Sequence, residues 1–437
     1  MKTIKEPARE IPVKYETDVL VIGGGPAGFA AAVSCGRQGL KTLLIEKTGT
    51  IGGVATSGLM SHWTGNTEGP LYEELLNRAS TASKDVNYFD DKVLKAEQII
   101  DPENTKLVML KMLIEAGVTL RLYSFAADVL MDGNRVTGAI LENKSGRSAA
   151  LAKIIIDCSG DGDIAAKAGV DFHMGRESDG MMQPVTIMFK VAGVNEETAV
   201  YPGEFEDDFD VPAGKLQQLG RLHLKEPIGH VLIYPGSVPG VATVNMTNSQ
   251  GIDGTKSSDL TRAEVECRSQ IPEIITFLKR FVPGYENCYL IATSSVIGVR
   301  ETRHFKGLYT ITEEDIEEAK VFDDWIVTRA FFNFDIHGMS GPGLDPSGAQ
   351  KSFRQTEKYS IPLGCFIPEK VDGLFLAGRN ISGTHKAHSN YRVMPICVNM
   401  GQGVAAAASV CLKNGHQPRE LDYKDVQTIL KEQGVHP

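Results

Sequence analysis

A glycine-rich turn between an apolar run and an alanine-rich segment constrains the fold of this chain more than any other feature. Residues 18–22 read DVLVI, GGGPAG follows at 23–28, and FAAAVSCGRQG comes next. Continuous apolarity over a short run favours a strand buried on both faces, as in a parallel sheet. In such a strand-turn-helix unit the first glycine makes the turn, the second admits a pyrophosphate, and the third lets helix pack on strand. These roles fall on Gly23, Gly25 and Gly28.

A second strand and a terminal acid complete this unit. Residues 41–46 read KTLLIE and end on Glu46, 23 residues after Gly23. An acid at about this spacing binds the ribose hydroxyls of a dinucleotide, whose phosphates lie at the helix N-terminus. The unit therefore predicts a dinucleotide site, against the alternative of a tight turn with no ligand. The acid disfavours a ribose 2′-phosphate, so NADP is not expected.

Composition excludes several other classes. The 437 residues carry a net charge of −10 with no Lys/Arg-rich run, which argues against nucleic-acid binding. Apolar runs reach about ten residues, short of the ~20 that span a membrane, and the N-terminal segment shows no apolar signal region. The seven cysteines are scattered without a C-x-x-C motif, which favours reduced thiols over disulfides or a metal site. We therefore expect a cytoplasmic protein without a bound metal.

Further glycine stretches carry a family resemblance. Gly52 and Gly53 follow the ribose acid, KIIIDCSGDGD spans 153–163, and LFLAGRN spans 374–380. With GQGVAAAASVCL at 401–412, and with IGVRETR, DIH, IPLG and AGRNISGTHKAHSNYRVMP elsewhere, these stretches cover most of the chain. The chain resembles the bacterial FAD-dependent oxidoreductases of the fumarate reductase/glutathione reductase-like flavoprotein superfamily.

The resemblance and the strand pattern together predict an α/β fold with two domains. Residues 1–185 and 356–437 are expected to form a Rossmann-like FAD-binding domain around a central parallel sheet. Residues 186–355 are expected to form an inserted α+β substrate domain with an antiparallel sheet, because apolar strand-like runs there alternate with Gly/Pro-rich turns.

The resemblance implies FAD held without a covalent bond, because the spacing around His62 does not fit a covalent flavin. A last helix opening at residues 401–403 is expected to aim its N-terminus at the flavin pyrimidine. At the position of Arg379, many relatives carry an acid that binds the ribityl chain of the flavin. The sequence therefore leaves open which residue binds the ribityl hydroxyls. The cofactor residues implied are Gly23, Gly25, Pro26, Ala27, Gly28, Glu46, Lys47, Gly52, Gly53, Ser159, Gly160, Asp161, Gly378, Arg379, Gly401 and Gly403.

Three groups of residues are candidates for chemistry at the flavin. Arg300 and Arg303 are three residues apart, so they share one helix face or flank a tight turn. They form either a clamp for a carboxylate or an ion-pair cluster. Asp335 and His337 alternate along a strand, so their side chains lie on one face. They are either an Asp–His pair in which the acid orients the imidazole as a general base, or part of a hydrogen-bonded loop. The loop before the last helix contributes a possible acid/base and an anion-binding side chain: His385, His388 and Arg392.

We expect a flavoenzyme that dehydrogenates a small polar substrate, hydroxylated, sugar-like or carboxylate-bearing, by hydride transfer to flavin N5. Neither a second G-x-G-x-x-G nor a redox cysteine pair is present, so electrons pass to the substrate, to oxygen or to an acceptor protein. The alternatives are a reductase of an activated C=C bond and an electron-transfer subunit. The sequence leaves a homo-oligomer open.

Overall fold

The computed structural model describes residues 2–65, 67–80, 86–87, 93–94, 99–202, 212–345, 347 and 357–437. The strands are β1 (Val13–Ile22), β2 (Thr42–Ile45), β3 (Val86–Asn87), β4 (Val93–Leu94), β5 (Thr119–Arg121), β6 (Phe125–Asp132), β7 (Arg135–Asn143), β8 (Gly146–Asp157), β9 (Phe172–Met174), β10 (Phe189–Ala192), β11 (Ile233–Pro235), β12 (Val241–Val244), β13 (Tyr289–Thr293), β14 (Arg303–Phe305), β15 (Trp325–Ala330), β16 (Tyr359–Pro362) and β17 (Leu374–Leu376). The helices are α1 (Pro26–Arg37), α2 (Pro70–Ala79), α3 (Pro102–Glu115), α4 (Asp163–Lys167), α5 (Pro212–His223), α6 (Ser257–Phe281), α7 (Glu313–Glu317), α8 (His385–Tyr391), α9 (Met394–Asn414) and α10 (Tyr423–Glu432).

A seven-stranded sheet forms the centre of the molecule, in the order β5-β2-β1-β8-β7-β6, with β17 also paired to β8. The pairs β5–β2, β2–β1, β1–β8 and β8–β17 are all parallel. The hairpin β6–β7 adds antiparallel pairing to the first part of β8. The parallel strands bring their carboxyl ends to one edge, which is where open α/β sheets bind ligands. This sheet confirms the predicted Rossmann-like fold.

The first glycines of the chain determine how α1 meets this sheet. Gly23 has a φ of +94°, a left-handed conformation that favours glycine. A Cβ added to Gly28 would lie 1.8 Å from the Gly23 carbonyl oxygen. Only glycine at position 28 therefore lets α1 pack this closely on the end of β1, and the apolar side chains of both elements are buried in the main core.

A second, antiparallel sheet has the strand order β11-β12-β10-β13. It has its own apolar cluster, which includes Phe189, Val244 and Ile274, the last on α6. This sheet lies within the predicted substrate domain. Phe305 and Trp325 from the same predicted domain, however, pack in the main core with α9. The domain boundaries remain a prediction, and the boundary at 355/356 lies outside the described residues.

Helix α9 is the one helix, among the residues described, that is long and apolar enough to cross a membrane by length and composition. Within the fold, 89% of its apolar window is buried. It packs on α1 at Gly401, where an added Cβ would lie 2.1 Å from the Ala27 carbonyl oxygen. Packing in the main core therefore accounts for the apolar character of this helix.

Candidate active site

A cavity of about 990 Å³ opens at the carboxyl edge of the parallel sheet. Its wall combines the turn after β1, the end of β2, the turn after β8, the end of β17 and the start of α9. Fourteen of the residues predicted for cofactor binding or catalysis line it: Gly23, Gly25, Pro26, Ala27, Glu46, Lys47, Gly53, Ser159, Gly160, Asp161, Gly378, Arg379, Arg303 and Arg392. Segments far apart in the sequence thus meet around one volume large enough for a dinucleotide.

The N-terminus of α1 is open toward this cavity. A Cβ added to Gly25 would have no protein atom within 4 Å, although Gly25 lies directly before the first helical residue. The Glu46 carboxylate accepts hydrogen bonds from the backbone amides of Gly24 and Thr48, each at 2.7 Å. The space at Gly25 suits a phosphate on the free amides of the helix, and the fixed carboxylate suits a ribose. The residues therefore fit a dinucleotide.

Asp161 and Arg379 form an ion pair on the cavity wall. Arg379 Nη2 donates to Asp161 Oδ1 at 2.6 Å, and the Thr302 hydroxyl donates to the same oxygen at 2.7 Å. The sequence places an arginine where many relatives carry an acid, and the structure brings the Asp161 carboxylate against that arginine. A polyol chain in the cavity would meet both an acceptor and a donor here.

Asp157, which sequence reasoning missed, holds the turn that carries Asp161. It ends β8, is buried, and accepts from the backbone amides of Ser159, Ile164 and Ala165 at 2.8 to 3.0 Å. Burial raises the pKa of this carboxyl. An acid at the end of a parallel strand, directly before a glycine turn, is the signal that would have identified it.

The predicted opening of the last helix at residues 401–403 is wrong. Helix α9 begins at Met394, and Met394 and Cys397 in its first turn line the cavity. Gly401 and Gly403 lie inside the helix, where added Cβ atoms would meet the carbonyl oxygens of Ala27 and Ile326. These glycines permit close packing on α1 and β15 and do not line the cavity. The positive end of the helix dipole nonetheless faces the cavity, because α9 starts seven residues earlier than predicted.

Arg300 and Arg303 are not on a helix, contrary to one of the predicted arrangements. Arg300 lies three residues before the start of β14, outside any helix or strand, and its Nη1 donates to the Pro184 carbonyl at 2.6 Å. Arg303 lines the cavity, where its Nη1 donates to the Asp161 carbonyl at 2.8 Å and lies 3.2 Å from Asp163 Oδ1. The two side chains therefore bind different partners and do not form one clamp.

Asp335, His337 and Arg392 meet as a buried polar cluster beside the cavity. Arg392 lines the cavity, and its Nη2 donates to Asp335 Oδ2 at 2.8 Å. His337 Nε2 lies 3.3 Å from Asp335 Oδ1, so the structure brings the predicted Asp–His pair together. Gln183 lies in no motif that would have identified it; its Oε1 accepts from the backbone amide of His337 at 3.2 Å and from Arg392 Nη2 at 3.4 Å.

The electrostatics of this cluster keep the carboxylate charged and the imidazole neutral. Burial alone would raise the pKa of Asp335, but His337 and Arg392 hold that pKa well below its usual range. Burial and the Arg300 charge lower the pKa of His337 to about 4, against the opposing effect of Asp335. Burial and the neighbouring His337 lower the pKa of His230 to about 3. At neutral pH the pair is therefore carboxylate and neutral imidazole.

His385 and His388 lie on α8, outside the cavity wall. His385 Nδ1 lies 2.6 Å from Glu301 Oε1, and His304 Nε2 lies 2.8 Å from the same oxygen. Burial alone would raise the pKa of Glu301, but the hydrogen bonds from His304 and His385 hold it well below its usual range. Sequence reasoning placed Glu301 only in an arginine ion-pair cluster, because its histidine partner on α8 is 84 residues away.

Acid should destabilise this protein through its buried histidines. Burial lowers the pKa of His62 to about 4, and His230 and His337 are lowered similarly. The unfolded chain binds protons below about 6.5 while the folded chain does not, so the stabilising effect is present above that pH and is lost as pH falls toward 4. We expect the free energy of unfolding to drop by roughly 2 kcal/mol per histidine between pH 7.5 and pH 5.

Urea unfolding at the two pH values measures this effect. His337→Gln should make the pH dependence shallower, and His416→Gln, at an exposed position, should leave it unchanged. A free energy of unfolding that is equal or higher at pH 5 would contradict the neutral state of these histidines.

Comparisons with known proteins bear on this site. The model of the FAD dependent oxidoreductase family matches residues 18–430. The digeranylgeranylglycerophospholipid reductase of Picrophilus torridus is 30% identical over 164 residues, which are 33% of this chain and 39% of that protein. The thiamine thiazole synthase of Sulfolobus acidocaldarius is 30% identical over 164 residues, 35% of this chain and 59% of that protein. The chain thus spans between about two fifths and three fifths of these curated relatives.

Two solved structures share the fold over nearly the whole chain. A geranylgeranyl bacteriochlorophyll reductase-like protein from Thermoplasma acidophilum has a TM-score of 0.53 at 15% identity, covering 96% of this chain and 84% of that one. The p-nitrophenol 4-monooxygenase of Pseudomonas putida has a TM-score of 0.53 at 12% identity, covering 94% and 83%. Because the family match extends from the first glycine unit through α9, this protein is an FAD-dependent enzyme and belongs to the family of FAD dependent oxidoreductases.

Proposed function

We propose that this enzyme oxidises a small, polar, carboxylate-bearing alcohol. FAD, when bound in the cavity, supplies the acceptor for the hydride that leaves the carbinol carbon. The observation that carries the proposal is the position of Arg392, which lines the cavity and also binds Asp335 of the buried Asp–His pair. Arg392 on the wall is thus linked through Asp335 to His337, which lies behind the wall residues.

His337 is the base in this proposal. Its pKa of about 4 keeps the imidazole neutral at physiological pH, so it can accept a proton from a hydroxyl group. His337 Nε2 lies 3.3 Å from Asp335 Oδ1, and the tautomer with its proton on Nε2 leaves the lone pair on Nδ1. The Asp335 carboxylate then stabilises the imidazolium that forms, as a buried acid does for a catalytic histidine.

Arg392 is the substrate clamp. Its Nη2 is held by Asp335 and Gln183, whereas its buried Nε has no hydrogen-bond partner among the described residues. An arginine with a fixed orientation and a spare donor suits a carboxylate. The first turn of α9 adds the positive end of its dipole next to the same wall.

Removing the guanidinium should weaken substrate binding more than turnover. We expect Arg392→Lys to raise KM for a hydroxy acid by about 10- to 100-fold, since a hydrogen bond between charged groups contributes about 1.5–3 kcal/mol. Arg419→Lys, at a surface arginine paired with Asp372, is the matched control and should leave KM unchanged. An unchanged KM in Arg392→Lys would remove the clamp from the proposal.

An anaerobic substrate panel tests the proposed function. Small hydroxy acids and polyols are mixed with the oxidised enzyme, and flavin absorbance is followed. Bleaching by hydroxy acids, and weaker bleaching by the matching uncharged alcohols, is the expected result. If no hydroxylated compound bleaches the flavin, the proposal is wrong.

Reduction of an activated C=C bond is the second candidate. The name of the Picrophilus torridus relative, a reductase, favours this second function, and the similarity covers 33% of this chain. In that direction Arg392 would hold the carboxylate of an enoate, and an external donor would reduce the flavin. Rapid reoxidation of the chemically reduced enzyme by enoates, with no bleaching by hydroxy acids, would favour this function.

We further propose that the natural electron acceptor is oxygen or another protein. We also propose that the enzyme is cytoplasmic and that it belongs to the fumarate reductase/glutathione reductase-like superfamily. The two fold relatives described above are reductase-like and monooxygenase proteins, and at their low identity they support the fold alone. Steady-state turnover with oxygen, compared with turnover with an artificial acceptor dye, separates the two kinds of acceptor.

A further inference from the structure

A second cluster of buried titratable side chains lies outside the cavity wall. We define the Glu301 cluster as Glu301, His304, His385 and His388; Glu301 lies two residues before β14, His304 lies on β14, and the other two lie on α8. The four residues are between 0% and 2% exposed. The proposed function uses none of them, so a separate explanation is needed for three imidazoles packed around one carboxylate.

The hydrogen bonds of the cluster leave several imidazole nitrogens unpaired. Glu301 Oε1 accepts hydrogen bonds from His304 and His385, and Glu301 Oε2 accepts one from the backbone amide of Gln183 at 2.9 Å. His388 meets the edge of the His304 ring, with centroids 4.7 Å apart. The buried Nδ1 atoms of His304 and His388 have no hydrogen-bond partner among the described residues. Buried nitrogens without a partner are rare in folded proteins, and ligation of an ion is one of the recognised roles for them.

We propose that Glu301, His304 and His388 bind one divalent transition-metal ion of the Zn²⁺/Fe²⁺ class. One ligand atom from each residue lies within 4.8 Å of the others. Two imidazoles and a carboxylate are a ligand set that both Zn²⁺ and non-haem Fe²⁺ use, with the remaining positions open to water. Ligand atoms around a tetrahedral ion stand about 3.4 Å apart, so the side chains need to close by little more than ~1 Å.

His385 acts as a positioning residue in this site. Its Nδ1 donates to Glu301, which orients the carboxylate as partners of metal ligands do. The ion would also connect the segment before β14 to α8, whose C-cap is Arg392. Metal binding would therefore stabilise the segment that carries the substrate clamp, although the ion itself takes no part in the proposed oxidation.

The test uses the FAD-loaded wild-type enzyme, purified without a metal-affinity tag. We expect about one equivalent of zinc or iron per chain by elemental analysis. After chelator treatment, Co²⁺ should bind with one-to-one stoichiometry, produce a ligand-field spectrum in the red, where oxidised flavin does not absorb, and raise the unfolding temperature. This titration needs no variant, so it decides the proposal even if substitutions in the cluster prevent folding.

Variants then locate the ion. His388→Asn should lose the metal and the Co²⁺ spectrum while keeping FAD, because the cluster does not line the FAD cavity. His416→Asn, at an exposed histidine, should keep both. A wild-type enzyme that contains no metal and shows neither a Co²⁺ spectrum nor a stability change would overturn the proposal, and the cluster would be a hydrogen-bonded network. Metal that persists in both His388→Asn and His304→Asn would also overturn it.

Discussion

Gly25→Val is expected to yield a folded protein that no longer binds FAD. Gly25 has φ −66° and ψ −175°, an extended conformation that valine adopts readily. A Cβ at this position meets no protein atom within 4 Å, so the new side chain would occupy the cavity at the N-terminus of α1. Since this is where the pyrophosphate is expected, we predict a loss of FAD affinity of at least ~100-fold, equivalent to ~2.7 kcal/mol.

The neighbouring glycines provide the contrast. Gly341 also has open space around its Cβ direction, so Gly341→Val is a matched control that should keep both fold and FAD. The Gly28→Ala variant should not fold, because the alanine Cβ would clash with the Gly23 carbonyl oxygen. Flavin absorbance per chain, together with the urea midpoint, separates these outcomes. Stoichiometric FAD in Gly25→Val would show that the pyrophosphate does not lie at this helix end.

His337→Gln is expected to lower kcat for alcohol oxidation by about 10²- to 10⁴-fold, the range typical of a lost general base. Glutamine keeps a polar group beside Asp335 but cannot accept the hydroxyl proton. KM should change little, because Arg392 holds the substrate carboxylate in the proposal. In the wild type, the rate should rise with pH through about 4, where His337 becomes neutral, and stay level above it.

FAD content and the free energy of unfolding at neutral pH serve as controls for this variant. His416→Gln should match the wild type in kcat. If His337→Gln turns over at the wild-type rate, or if its pH profile keeps the same rise near 4, His337 is not the base. Asp335 and Arg392 would then have a structural role alone.

The sequence could predict which residues at the ends of β1 and β2 line the cavity, because their signals are local. Gly23, Gly25 and Gly28 act over six residues, and their roles follow from steric limits that hold in any sheet-helix unit. The proximity of Asp335 and His337 was also predicted from their separation of two residues, although the structure has no strand there and only an isolated bridge at His337.

The sequence could not predict what depends on tertiary packing. Gly401 and Gly403 look like a turn that opens a helix, but the close packing of α9 on α1 and β15 also requires small residues and leaves the same pattern. Glu301 and His385 are far apart in the chain, and Gln183 lies in no motif. Which buried side chains face one another is decided by how β14, α8 and the strands of the main sheet assemble.

Hydride loss from the carbinol carbon is the central claim, and a single-turnover experiment measures it most directly. The oxidised enzyme is mixed anaerobically with a hydroxy acid from the panel, carrying either hydrogen or deuterium on the carbinol carbon. We predict stoichiometric bleaching of the flavin that deuterium slows several-fold and that Arg392→Lys makes dependent on higher substrate concentration. An absence of bleaching with every hydroxy acid, together with rapid reoxidation of the reduced enzyme by enoates, would contradict the account.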